Sequence, residues 1–172
     1  MQTNSRRDFL QAAAGAAVFS KTVLGANDRI NVAAIGLGSR FNLLDAAYMK
    51  QEDVAIAAIC DANRNKIDSY QSNKLKDQKV DAYTDYRRIR ALADAQMTWN
   101  DIDAVVICTP DHLHAPIMIA AVAAGKDVYV DKPATNTVEA GVAMLKSYRS
   151  HKQVVQLGTQ QRSWPHFREA AK

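Results

Sequence analysis

The chain has 172 residues, of which 48% are hydrophobic and 23% charged, and its formal net charge is +4. That length suits one ordinary domain, and the composition excludes long disorder, a collagen-like repeat and a polytopic membrane protein. With Arg6, Arg7, Lys21 and Asp8 of the first 26 residues set aside the charge falls to +2, and no basic run interleaved with aromatics offers a footprint for nucleic acid.

Residues 1–26 read as a leader. A basic start at Ser5-Arg6-Arg7-Asp8-Phe9-Leu10 precedes an Ala-rich apolar stretch from Ala12 to Phe19, and Gly25 and Ala26 are small residues suited to a cleavage site. The apolar stretch is too short for the ~20 residues that cross a bilayer, so no stable membrane anchor is expected. The Arg-Arg pair followed by Phe9-Leu10 resembles the bacterial twin-arginine signal, which implies engagement of the twin-arginine translocase and a periplasmic or secreted location. Proteins exported by that route commonly fold around a cofactor first.

From Ile30 onward, short apolar or β-branched runs alternate with helical segments, the pattern of a parallel sheet with crossover helices. Strands are expected at 30–35, 54–60, 80–83, 104–108, 127–130 and 154–157. Their lack of polar alternation suits strands buried on both faces. Helices are expected over 42–50, over 62–75, after Asp85, over 116–124 and from about 136 to 150. Gly125 is placed to end the fourth of these in the left-handed conformation, and Asn136 with Glu139 to cap the fifth. A last helix opens at Ser163-Trp164-Pro165, and 159–172 reads as the start of a linker or second domain whose remainder is missing. Cys60 and Cys108 fall on strands with one strand between them, about 9–10 Å apart, which is too far for a disulfide. No cluster of ligands at metal spacing is present.

The chemistry gathers at strand ends. Gly36-Leu37-Gly38-Ser39-Arg40 follows the first strand and opens a helix. In a dinucleotide site the first glycine makes the turn, the second admits a pyrophosphate to the backbone, and the helix N-terminus supplies N–H donors. Phe41 stands where a third glycine would allow close helix–strand packing, so either the helix is displaced or Phe41 points outward. Asp61 ends the second strand, 23 residues after Gly38, where a carboxylate would accept the adenosine ribose hydroxyls. It favours NAD, whereas Arg64 would tolerate the 2′-phosphate of NADP; each also reads simply as a helix cap and a surface charge. Thr109-Pro110-Asp111-His112-Leu113-His114 follows the fourth strand and Asp131-Lys132-Pro133 the fifth. Lys132 could stabilise alkoxide character on a substrate oxygen, with Asp131 orienting it.

The set Gly36-x-Gly38, Asp61, Thr109-Pro110-x-x-x-His114 and Asp131-Lys132-Pro133 resembles the glucose-fructose oxidoreductase and inositol dehydrogenase family, Gfo/Idh/MocA, from about Arg29 onward. The resemblance implies a Rossmann-type doubly wound α/β domain over 29–158 that binds NAD(P), followed in the family by an α/β substrate domain that often mediates homo-oligomerisation. It implies that Gly36, Leu37, Gly38, Ser39 and Arg40 hold the pyrophosphate and Asp61 the ribose. Thr109, Pro110, His112 and His114 would line the nicotinamide side, and Lys132 would be the catalytic lysine of the family's Glu-Lys-Pro motif, with Asp131 one methylene short of the usual glutamate. Gln161 and Arg162 would approach cofactor and substrate respectively. The implied activity is hydride transfer between a sugar or polyol and a tightly held NAD. The alternatives are an NAD-dependent glycosidase or glycan lyase acting by transient oxidation, and an inactive dinucleotide-binding fragment.

Overall fold

The computed structural model describes residues 29–76, 78, 80–91, 102–159 and 164–171. The predicted leader, Leu92, Gln161 and Arg162 lie outside them. Six strands form one sheet in the order β3-β2-β1-β4-β5-β6, with every neighbouring pair parallel. They are β1 (Ile30–Ile35), β2 (Val54–Cys60), β3 (Asp81–Tyr83), β4 (Ala104–Ile107), β5 (Asp127–Asp131) and β6 (Val155–Gly158). The strand order reverses direction between β1 and β4, and the crevice there is the switch point at which doubly wound sheets bind ligands.

The helices are α1 (Ser39–Tyr48), α2 (Arg64–Tyr70) running into a π-helical turn at Gln71–Leu75, α3 (Tyr86–Ala91), α4 (His114–Ala123), α5 (Val138–Arg149) and α6 (Pro165–Ala170). Their starts correct several expectations. α1 begins directly after Gly38 rather than at Asn42, so its first turn abuts the glycine loop. α2 is capped by Asn63, whose side chain accepts from the Asn65 N–H, and not by Asp61. Thr137 caps α5 by accepting from the Ala140 N–H at 3.2 Å, displacing the expected Asn136. Asp85 caps α3 through the Arg87 N–H. Gly125 closes α4 at φ +76°, as its position requires.

Two apolar cores sandwich the sheet. One joins Ile35, Val105, Ile107 and Val130 to Ile117, Met118 and Val122 of α4 and Met144 of α5. The other joins Val32, Ile56 and Ile59 to Phe41 of α1 and Ile67, Tyr70 and Leu75 of the α2 arm. Of the two alternatives for Phe41, the outward one is excluded: the side chain points inward and is fully buried, its ring 5.5 Å from that of Tyr70. The larger side chain packs into this core with Tyr70, an aromatic pair worth about 0.5–1.5 kcal/mol beyond its area. Cys60 and Cys108 are buried free thiols on the two sides of β1. Among the described residues no helix is long and apolar enough to cross a membrane.

Candidate cofactor site

A cavity of about 800 Å³ opens at the carboxyl ends of the strands. Gly36, Gly38, Ser39, Arg40, Asp61, Thr109 and Pro110, all predicted from sequence, line it. The strand termini explain their convergence: the Gly36 N–H donates to the Cys60 carbonyl, and the Cys108 N–H to the Ile35 carbonyl, both at 2.8 Å. Each pairing carries the ladder one residue past its strand and brings the three loops to one edge.

The glycine loop is built for close approach. Gly36 sits at φ +92°, and a Cβ there would lie 2.6 Å from the Cys108 carbonyl carbon and 2.7 Å from the Thr109 nitrogen. Backbone thus occupies the space of any side chain. Gly38 differs, since its φ is −73° and a Cβ would meet only the Lys66 Nζ, at 3.7 Å. Its bareness opens space toward the cavity at the N-cap of α1, where no side chain caps the helix. The first-turn N–H groups are thus left to an anion.

Asp61 holds the loop as well as facing the cavity. Its Oδ2 accepts the Leu37 N–H and its Oδ1 the Asn63 N–H, each at 2.9 Å. A carboxylate has about four acceptor positions, so room remains for ribose hydroxyls. The Leu37 side chain is buried in the core and its N–H is taken by Asp61, so Leu37 supports the glycine loop without lining the cavity. Thr109 Oγ1 is buried without a hydrogen-bond partner among the described residues, an orphan that a polar group in the cavity would satisfy. The bare Gly38 edge, the uncapped helix end and this hydroxyl together fit a dinucleotide.

Other predicted residues are placed differently. Asp131 does not orient Lys132. Its carboxylate takes a bidentate pair from Arg40, Nε to Oδ2 at 2.7 Å and Nη2 to Oδ1 at 3.0 Å, and its side chain is only 7% exposed. That hydrogen bond raises the Arg40 guanidinium above its ordinary range. The pair ties the first turn of α1 to the end of β5. Lys132 is exposed beside it, outside the cavity lining, with no hydrogen bond or ion pair among the described residues. Arg64 leans along its own helix to Asp68 at 3.4 Å and is largely exposed. His112 is exposed, 4.0 Å from Asp111.

His114 lies inside the protein rather than against the cavity. It is 2% exposed, with Nδ1 2.7 Å from the Pro133 carbonyl and Nε2 2.9 Å from the Thr109 carbonyl. Which of the two carbonyls receives the ring N–H depends on the tautomer. The side chain braces the loops after β4 and β5 against each other.

Sequence reasoning missed part of the wall. Asn63, Lys66, Thr84, Asp85, Tyr86 and Arg87 also line the cavity. Asp85 through Arg87 were legible only as a helix start, and their arrival depends on β3 pairing with β2, where the Asp61 N–H donates to the Tyr83 carbonyl.

Comparison with known proteins agrees with this geometry. Residues 30–159 match the Gfo/Idh/MocA family, described as an oxidoreductase family with an NAD-binding Rossmann fold. The chain is 29% identical over 157 residues to a glycosyl hydrolase family 109 protein of Solibacter usitatus, covering 81% of this chain and 35% of that one. It is 31% identical over 119 residues to an alpha-N-acetylgalactosaminidase of Bacteroides fragilis, covering 64% of this chain and 25% of that one. It thus spans about a third or less of these curated relatives. Myo-inositol 2-dehydrogenase from Lactobacillus plantarum superposes with a TM-score of 0.69 at 26% identity, over 83% of this chain and 40% of that one. The WlbA dehydrogenase from Bordetella pertussis, solved with NADH and UDP-GlcNAcA, gives 0.69 at 21% identity over 82% and 40%, a likeness of fold. The matched span, the strand order and the glycine loop agree: the chain belongs to the Gfo/Idh/MocA family of NAD-binding Rossmann-fold oxidoreductases.

Proposed function

We propose that the protein binds a nicotinamide dinucleotide in this cavity and contributes the cofactor half of an oxidoreductase acting on a sugar or polyol. The observation that carries the reading is the cavity itself, at the switch point and walled by Gly36, Gly38, Asp61 and Thr109. Gly38 and the first turn of α1 would receive the pyrophosphate, and Asp61 the adenosine ribose. Thr109 and Pro110 would bound the nicotinamide end. A bound nicotinamide supplies the hydride acceptor or donor. Lys132, exposed at the end of β5, would donate a hydrogen bond from Nζ to a substrate hydroxyl and stabilise the oxygen as it gains negative charge. The Arg6-Arg7 leader supports export through the twin-arginine translocase after the cofactor is seated. Native mass spectrometry before and after acid denaturation tests the reading. Release of NAD or NADP, or uptake of added NAD, is expected; a protein that neither carries nor takes up either nucleotide refutes it.

A second reading is favoured by the relatives named as glycosidases: the same cofactor half could serve an enzyme that cleaves glycosides without net redox change. The two readings separate on a nitrophenyl α-N-acetylgalactosaminide. Nitrophenol release without accumulation of NADH supports the glycosidase, and NADH formation from free sugars or polyols supports the dehydrogenase.

A further inference from the structure

The outer face of α5 is apolar and uncovered. The helix seats on the core through Met144 and Ala140, with Gly141 and Ser147 half-buried beside them. Round the far side, Val138, Val142, Leu145 and Tyr148 are between 45% and 79% exposed. Val138, Val142, Leu145 and Arg149 stand at i, i+4, i+7 and i+11, the spacing of a coiled-coil seam. An open groove of about 520 Å³ runs along one flank of that seam, between the helix at Gly141 and Leu145 and the loop at Thr135 and Thr137. The other flank carries Glu139 and Lys146, opposite charges seven residues apart and therefore at one heptad position. Both are exposed, and no ion pair engages either among the described residues.

We infer that this face is an interface between two copies of the chain, packed α5 against α5 in antiparallel orientation about a two-fold axis. The charge pattern selects both the occupant and its direction. In an antiparallel pair like heptad flanks meet, so Glu139 of each copy faces Lys146 of the other, twice by symmetry. Val142 then lies against the partner's Leu145, and Val138 under the aliphatic stem of the partner's Arg149. On the opposite flank the partner's Tyr148 enters the groove over Gly141. A parallel pair would instead set Arg149 against Arg149 in the seam and separate each Glu139 from the lysine that complements it. The helix macrodipoles also favour the antiparallel arrangement. A contact one helix wide is small beside the ~800 Å² per partner of a standard interface, so the dimer is concentration-dependent. No residue of α5 lines the cofactor cavity, and the inference does not rest on the cofactor reading.

The test is sedimentation velocity from micromolar to millimolar protein, on the wild type and on variants checked for folding by circular dichroism. The wild type should pass from monomer to dimer within that range. Val142→Asp should weaken the association at least about tenfold, because it sets two carboxylates in the apolar seam. Glu139→Lys alone and Lys146→Glu alone should each weaken it about fivefold, since both flanking pairs turn repulsive. An equimolar mixture of those two variants should dimerise as the wild type does, because every flanking pair is again between opposite charges. A face that associates through apolar contact alone would show no such recovery. A wild type that stays monomeric throughout overturns the inference. So does a dimer indifferent to Val142→Asp, which would place the contact elsewhere, or one whose charge variants fail to recover on mixing. A monomer in which Val142→Asp lowers the urea midpoint would show the face to be covered by another segment of the same chain, and likewise overturns it.

Discussion

Gly36 and Gly38 sit two residues apart in one loop, yet the structure assigns them different tasks, and alanine at each should show it. At Gly36 the backbone is left-handed, φ +92°, which costs an L-residue about 1–2 kcal/mol. The added Cβ would also meet three main-chain atoms of Cys108 and Thr109 at 2.6–2.7 Å. Main chain cannot swing aside as a side-chain tip can, so β1 and β4 must part at their ends, an overpacking cost of about 1–3 kcal/mol. Gly36→Ala should therefore lose about 2–5 kcal/mol, which at a urea slope near 2 kcal/mol per M lowers the unfolding midpoint by about 1–2.5 M. Gly38→Ala meets only the Lys66 tip at 3.7 Å and keeps an ordinary φ of −73°. Its midpoint should stay within about 0.3 M of the wild type. NAD affinity should nevertheless fall at least tenfold, to order of magnitude, because a methyl group now stands where the pyrophosphate approaches. Urea unfolding followed by circular dichroism, paired with calorimetric NAD titration, measures both. A Gly36→Ala protein of wild-type stability would refute the clash, and a Gly38→Ala protein with wild-type NAD affinity would refute the cradle.

Arg40→Ala should destabilise by about 2–4 kcal/mol, because it strands the nearly buried Asp131 carboxylate. In a double-mutant cycle, Arg40→Met with Asp131→Leu should recover much of that loss; additivity of the two single changes would show that the pair is uncoupled. His114→Ala should cost about 2–4 kcal/mol in chemical denaturation by emptying the buried space between the Pro133 and Thr109 carbonyls and removing the ring N–H that serves one of them, and unchanged stability would show the brace to be idle. Burial pushes the Cys60 and Cys108 thiols up to about 12. As acids with raised values they stabilise the fold below the ordinary thiol range near 9, and that contribution fades as pH climbs from about 9 toward 12. At pH 8 both should react with a disulfide reagent at least a hundredfold, to order of magnitude, more slowly than after unfolding. Rapid labelling of the native protein would contradict their burial.

The sequence by itself determined the fold class, because buried parallel strands and the helices that cross between them write local signals: unbroken apolar runs, turns and caps. It also placed Gly36, Gly38, Asp61 and Thr109 at the site, since in a parallel sheet every strand delivers its C-terminal end to the same edge. Tertiary structure decided the side-chain partners. Arg40 meets Asp131 across 91 residues, a contact set by how α1 lies over β5 and invisible to any local spacing. Asp131 and Lys132 are neighbours in sequence, but Asp131 ends β5 with its carboxylate on Arg40 while Lys132 falls in the exposed bend that follows, so adjacency there did not make a contact. Helix phase also decided that Lys66 lines the cavity and Arg64 does not. Because Asn63 caps α2, Arg64 is its first residue and turns outward, while Lys66, about 200° further round at roughly 100° per residue, comes over Gly38. Phe41 and His114 went inward for a related reason: the direction of a side chain in a helix's first turn follows from how that helix seats on the sheet and the volume its neighbours leave, which only the assembled sheet defines.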